Sequence, residues 1–293
     1  MIEIRYTAWD GSQKLKLDAD KVFEKLAEYL SYTDDVRQAM DWMTRQGMDF
    51  DGSRVAGMEE FLEQLRQEMR QRYREFNLKE ALSEIERQLQ NIVDREHGTL
   101  EQLGAEQPGG KSDEKLRELR RMPRQLSEAM RKLESHEFED AQARADFEEL
   151  LKEYENVRDL ENFRERNQHL FHGPKSLNYQ QALELMREMD RMKQLEQDLM
   201  SGNFDNISMD DLREMLGQQA EQDFQNLRQV MLLLEQGGYM MQKGEHLALS
   251  PKGVRRIGQL ALRDIYQGLL KERGGSHLTD HRGITEIRPD ESK

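Results

Sequence analysis

Residues 232–270 read LLLEQGGYMMQKGEHLALSPKGVRRIGQLALRDIYQGLL, and the order of elements in this stretch decides the fold. A helix ends at Gly237-Gly238, since glycine accepts the left-handed backbone on which helices commonly stop. Tyr239-Met240-Met241 is a short apolar run. Gln242-Lys243-Gly244-Glu245 forms a polar turn, and His246 to Leu249 alternates as a second strand would. Ser250-Pro251 then opens a new helix, serine being a preferred cap and proline suiting the first turn. Helix, hairpin and basic helix together outline a winged-helix-like unit.

The chain around this stretch is different in character. Of its 293 residues, 35 % are charged and 36 % hydrophobic, so apolar material for a core is scarce. Glu, Gln, Arg, Leu and Met dominate, and these side chains lose little rotamer freedom in a helix. The expected class is mainly α: an extended, coiled-coil-like helical bundle ending in the winged-helix-like helix–hairpin–helix unit. Net charge is −14. Gly238 to Arg273 holds seven basic and three acidic residues, so it is +4 and the remainder −18. Such a body opposes general nucleic-acid binding, where neutralising phosphate supplies most of the affinity. With no cysteine, disulfides, thiol catalysis and thiolate metal sites are excluded. No apolar run of membrane-spanning length and no signal-like N-terminus is present, which sets the expectation of a cytoplasmic protein without membrane contact.

Working along the chain, residues 1–56 read as a short extended arm followed by a helical hairpin. Ile2, Ile4 and Tyr6 alternate, Asp10-Gly11-Ser12 turns, Asp18 caps one helix, and Thr33 caps a second that Gly47 stops. Trp42 is the expected aromatic anchor. Residues 57–172 form a long amphipathic helical region. Phe61, Leu62, Leu65, Met69, Tyr73 and Phe76, then Leu78, Leu82, Ile85, Leu89, Ile92 and Val93, fall at near-heptad spacing, as arms of a long antiparallel helical hairpin or coiled coil would. A loop is expected over Gly104 to Ser112. Residues 173–273 carry a helix from Tyr179, capped at Asn178, a short one capped by Ser208, and the winged-helix-like unit. Residues 274–293 read as a disordered tail.

Candidate chemistry is sparse. Ala105-x-x-x-x-Gly110-Lys111-Ser112 fits a loose phosphate-loop pattern, but that chemistry needs a strand before the loop, and His97 to Leu103 look helical. His277 and His281 are i, i+4 among glycines, and His169 and His172 lack a third ligand nearby. No metal, cofactor or catalytic residue is therefore assigned. Met186, Met189, Met192 and Met200 share one helix as core filler or as a partner-binding face. The residues singled out for partner binding are Lys252, Arg255, Arg256 and Arg263. On a DNA-binding regulator the first three would meet phosphate with Lys243 on the wing, the acidic helices serving oligomerisation. On a protein module they would face an acidic protein surface, and the charge balance favours this second arrangement. In both, Val254, Ile257, Leu260, Ala261, Ile265 and Leu269 are expected to bury the helix against Leu232, Leu233 and the hairpin.

RYTAWDGSQ near the start, the helix pair ending in MTRQG, and above all LALSPKGVRRIGQLALRDIY resemble the helical region of bacterial proteins that carry a von Willebrand factor A domain. Leu177 to Asp205, a Tyr-Gln-Gln-Ala-Leu-Glu-Leu-Met segment followed by a Leu-Glu-Gln-Asp-Leu helix, and the Gly- and His-rich tail fit the same scheme. The Asp-x-Ser-x-Ser metal motif of that domain does not occur in this sequence. The resemblance implies a non-enzymatic helical adaptor or scaffold whose partners are a von Willebrand A-domain protein and a MoxR-like AAA+ ATPase, with the A domain on a separate polypeptide or missing from a truncated form.

Overall fold

The computed structural model describes residues 18–50, 53–106, 110–202, 204–243 and 246–273. The arm at residues 2–12, RYTAWDGSQ, His277, His281 and the tail from Gly274 lie outside them. The fold is a mainly α multi-helix bundle. In chain order, α1 (Ala19–Leu30) and α2 (Val36–Gln46) precede a hairpin of β1 (Met48–Phe50) and β2 (Ser53–Val55). Next, α3 (Met58–Glu75) runs into β3 (Phe76–Asn77), and α4 (Ser83–Glu106), α5 (Lys111–Leu119), α6 (Leu126–Glu134), α7 (Ala141–Leu151) and α8 (Tyr154–Asn167) follow. After β4 (Lys175–Ser176) come α9 (Tyr179–Ser201), α10 (Met209–Leu216) and α11 (Gln218–Gln236). The described chain closes with β5 (Met240–Lys243), β6 (His246–Leu249) and α12 (Pro251–Arg273).

Contacts divide these elements into two compact units that are not consecutive in sequence. One gathers α1, α2 up to Thr44, β1, β2, the part of α11 from Asn226, β5, β6 and α12. Its core is Val22, Phe23 and Leu26 of α1, Met43 of α2, Val230 and Leu234 of α11, and Tyr239. Met43 is fully buried beside a half-buried Trp42, so methionine rather than tryptophan anchors α2. The other unit gathers α3 to α10 with β3 and β4 and the start of α11. Here α3 packs on α9 and α10, while α4 packs on α5 and α7. The two heptad-like runs thus take different main partners, though α4 also touches α9. Met189 and Met192 are fully buried and Met186 nearly so, which makes the methionine face of α9 core; Met200 alone of the four is exposed.

Local caps explain several helix starts. Asp18, Asn178 and Ser208 each accept a backbone N–H of the helix that follows. On α2 the cap is Asp35, whose carboxylate accepts the Arg37 N–H at 2.8 Å, while Thr33 accepts the Asp35 N–H one step earlier. The expected loop at Gly104 is helical as far as Glu106, and helix resumes at Lys111, so a helix and not a strand precedes the phosphate-loop pattern.

One helix is capped from a distance, and the start of another is held from a distance. Gln125 precedes α6 without donating or accepting a side-chain cap bond. Instead Glu161 of α8, 5 % exposed, accepts the N–H groups of Leu126 at 2.8 Å and Ser127 at 3.2 Å, and the Ser127 hydroxyl. Glu96 of α4, fully buried, accepts the N–H groups of Glu139 and Asp140, each at 2.9 Å, and lies 3.2 Å from His136 Nε2. Asp140 in turn caps α7 through the Ala143 N–H at 2.7 Å and accepts the Thr99 hydroxyl at 3.0 Å. A buried carboxylate is costly unless it is paired and hydrogen-bonded, and each of these is met by donors that would otherwise be orphaned.

A two-residue parallel pairing, Phe76 with Lys175 and Asn77 with Ser176, joins β3 to β4. The Asn77 side-chain amide donates to the Gly173 carbonyl at 3.0 Å, and the Gly173 N–H donates to Phe76 O at 2.9 Å. A Cβ at Gly173 would run into the Glu75 carbonyl, so only glycine permits this approach.

Candidate functional site

The C-terminal helix–hairpin–helix is built around Tyr239. Gly238, at φ 66°, turns the chain out of α11, and Tyr239 drops into the core at 2 % exposure. Its ring stacks on Phe23 at 4.2 Å between centroids, and its hydroxyl donates to Asp20. Burial, then the bond to Asp20, pushes the phenol up to about 12. The pairing Met240 with Leu249 through Lys243 with His246 makes β5 and β6 an antiparallel hairpin. Ser250 locks its open end: its N–H donates to Tyr239 O at 2.9 Å, its hydroxyl donates to Gly238 O at 2.6 Å, and the hydroxyl oxygen accepts the Gly253 N–H at 3.1 Å as the cap of α12. A Cβ on Gly253 would collide with the Tyr239 carbonyl oxygen, which fixes the closeness of α12 to the hairpin.

The four predicted basic residues are placed as follows. Lys252 donates to Gly237 O at 2.7 Å and holds its ammonium 4.1 Å from the Tyr239 ring centroid, a cation–π contact that also satisfies a carbonyl at the end of α11. Arg256 donates through Nη2 to Glu24 of α1 at 2.9 Å, and its Nε is buried without a hydrogen-bond acceptor among the described residues. Arg263 reaches the same Glu24 oxygen at 3.4 Å and Asp264 at 3.9 Å. Arg255 is exposed and donates to Pro251 O within its own helix at 3.2 Å. Lys243 ends β5. Glu24 therefore gathers two of the four cations, a role the sequence does not mark among 58 acidic residues.

The apolar face of α12 departs from expectation. Leu260 is buried and Ile257 half-buried, but Val254, Ile265 and Leu269 are exposed, as is Leu232 of α11. From Ala261 to Leu270 every residue is exposed. Met241, Ala248, Leu249, Pro251 and Val254 line a shallow apolar depression of about 560 Å³ where the hairpin meets α12, with Arg255 at its rim.

Among the described residues no group of three or more His, Asp or Glu side chains converges as a metal site would require. His172 Nδ1 lies 2.7 Å from the carbonyl oxygen of Leu170, two residues earlier. No helix of the described residues is long and apolar enough to cross a membrane.

Residues 79–153 match the family described as the Mb0984 helical domain. Over 104 residues the chain is 34 % identical to uncharacterized protein Mb0984 of Mycobacterium bovis and to uncharacterized protein Rv0959 of Mycobacterium tuberculosis. The similarity covers 35 % of this chain and 15 % of each relative. No solved structure matches the chain significantly. The stretch that matches this family model is the helical segment that begins just after β3 and contains Glu96, His136 and the whole of α7.

Proposed function

We propose that the chain is a non-enzymatic helical adaptor acting with a von Willebrand A-domain protein and a MoxR-like AAA+ ATPase. In this reading the longer helices pack in coiled-coil-like fashion, and the C-terminal unit is a winged-helix-like module that meets protein. The observation that carries it is the pairing of Arg256 and Arg263 with Glu24. Arg256, a cation that would neutralise phosphate on a DNA reader, is instead paired with Glu24 of the chain's own α1, and Lys252 is held over Tyr239. The resemblance of residues 247–266 to A-domain proteins supports the choice of partners. A tagged chain purified with cross-linking from its native cell is expected to bring down both partner types, and recovery of neither overturns the reading. So does duplex binding at low salt that disappears in an Arg255→Ala/Arg256→Ala variant.

A further inference from the structure

Helix α12 carries apolar residues on two opposite faces. One face, with Gly253 and Leu260, is buried in the C-terminal unit. The other holds Val254, Gly258, Leu262, Ile265 and Leu269, and its four large side chains are 58, 68, 60 and 56 % exposed. Their intervals of four, four, three and four residues give a heptad-like seam about 22 Å long at the helical rise, continuous with the apolar depression at Met241 and Pro251. In a chain so poor in hydrophobic residues, leaving this many exposed along one line marks an interaction surface.

We propose that this seam docks an amphipathic helix of a partner protein whose flanking positions are Glu or Asp. Between Lys252 and Asp264, α12 carries four basic residues and one acidic. Glu24 engages Arg256 and Arg263, which leaves Arg255 beside the seam to select an opposite charge. A second copy would set this cationic helix against itself, and an anionic lipid surface would repel a chain of net charge −14. Knobs-into-holes spacing on a helix exposed all round from Ala261 fits a partner helix, with acidic residues at positions flanking its own apolar stripe.

The proposal rests on the reading of α12 as a protein-docking element and not on which protein docks. It is tested with the full chain and a labelled synthetic helix of about three heptads, Leu and Ile at a and d and Glu at e and g. A control peptide has Lys in place of every Glu. The Glu peptide is expected to bind, with salt weakening it, and the Lys peptide to bind about tenfold less well or worse. The double variant Ile265→Asp/Leu269→Asp should lose about tenfold or more in affinity while melting as the parent does, because both side chains are exposed. Arg255→Glu should reverse the preference between the peptides. Equal binding of both peptides, no binding of the Glu peptide, or unchanged binding by the double variant overturns the proposal. It is also overturned by a dimer in sedimentation, or binding to phosphatidylserine vesicles, that the double variant abolishes. Failure here with both partners still recovered from cells would remove the seam and leave the adaptor reading in place.

Discussion

Replacing Glu96 by alanine should be among the most damaging single changes available to the helical segment. The carboxylate is fully buried and accepts the N–H groups of Glu139 and Asp140 at 2.9 Å, with His136 Nε2 at 3.2 Å. Truncation orphans two donors at the head of α7, each costing about 1–3 kcal/mol if left unpaired. It also strands His136, whose side chain is 5 % exposed. Relief of the carboxylate's own desolvation offsets part of this, so the net loss should be about 3–5 kcal/mol, the range for breaking a buried pair from one side. That is a large share of an ordinary domain's 5–15 kcal/mol, roughly. Glu96→Gln keeps the volume and one acceptor, but must point an N–H at another N–H, and should cost about 1–2 kcal/mol. The assay is urea unfolding followed by amide exchange in α7. An alanine variant within about 1 kcal/mol of the parent, or a glutamine variant worse than alanine, would refute the capping argument.

Glu161→Ala should behave similarly at the head of α6, costing about 2–4 kcal/mol and raising exchange at Leu126 and Ser127 first. Tyr239→Phe removes only the bond to the exposed Asp20 and should cost about 1 kcal/mol, whereas Tyr239→Ala also loses the Phe23 stack and the Lys252 contact and should cost about 3–5 kcal/mol in urea melts. Stability should fall on acidification. Glu63, Glu139, Asp140, Glu214 and Glu221 are held below the usual carboxylate range, chiefly by hydrogen bonds from Arg70, Lys115, the Ala143 N–H, Arg191 and Arg213. Groups depressed in the folded state contribute above their unfolded value, about 4, and lose that contribution as pH drops through the folded one. Asp223, raised by burial, works in the opposite sense but stands against five. A urea midpoint that is higher at about pH 3 than at pH 6 would contradict this balance.

Where chemistry is local, the sequence announces it. Asp18, Asn178 and Ser208 cap because a short side-chain oxygen reaches an N–H two or three residues on, and that depends on nothing else. Gly237-Gly238 and Ser250-Pro251 bracket the hairpin for the same reason. Pairing between helices is another matter. Leu, Glu and Arg at near-heptad spacing make one helix interchangeable with the next, so the choice of α9 and α10 by α3 leaves no trace in its own residues. The contact of α1 with α12 is set some 230 residues apart, through Glu24 and Arg256. Periodicity identified the apolar residues of α12 but not that Val254, Ile265 and Leu269 point away from the core while Leu260 points in. The roles of Glu96 and Glu161 were invisible, since each holds a helix start 34 to 44 residues away. At the C-terminal site the four basic residues were legible by type; Glu24 and Tyr239, which decide what those charges can meet, were not.

The parallel pairing of β3 with β4 has a consequence for how the chain could have been assembled. Neighbouring strands lie about 4.8 Å apart, so the polypeptide leaves at Asn77 and returns at Lys175 through what is in effect a single doorway. Everything between, from α4 to α8, is a cassette whose two ends are tied together by Asn77 and Gly173. A linker of two or three residues would span the doorway, so the cassette could be excised or transplanted without pulling α3 from α9. The stretch that matches the Mb0984 helical domain lies inside this cassette, from residue 79, two positions past that threshold, to residue 153.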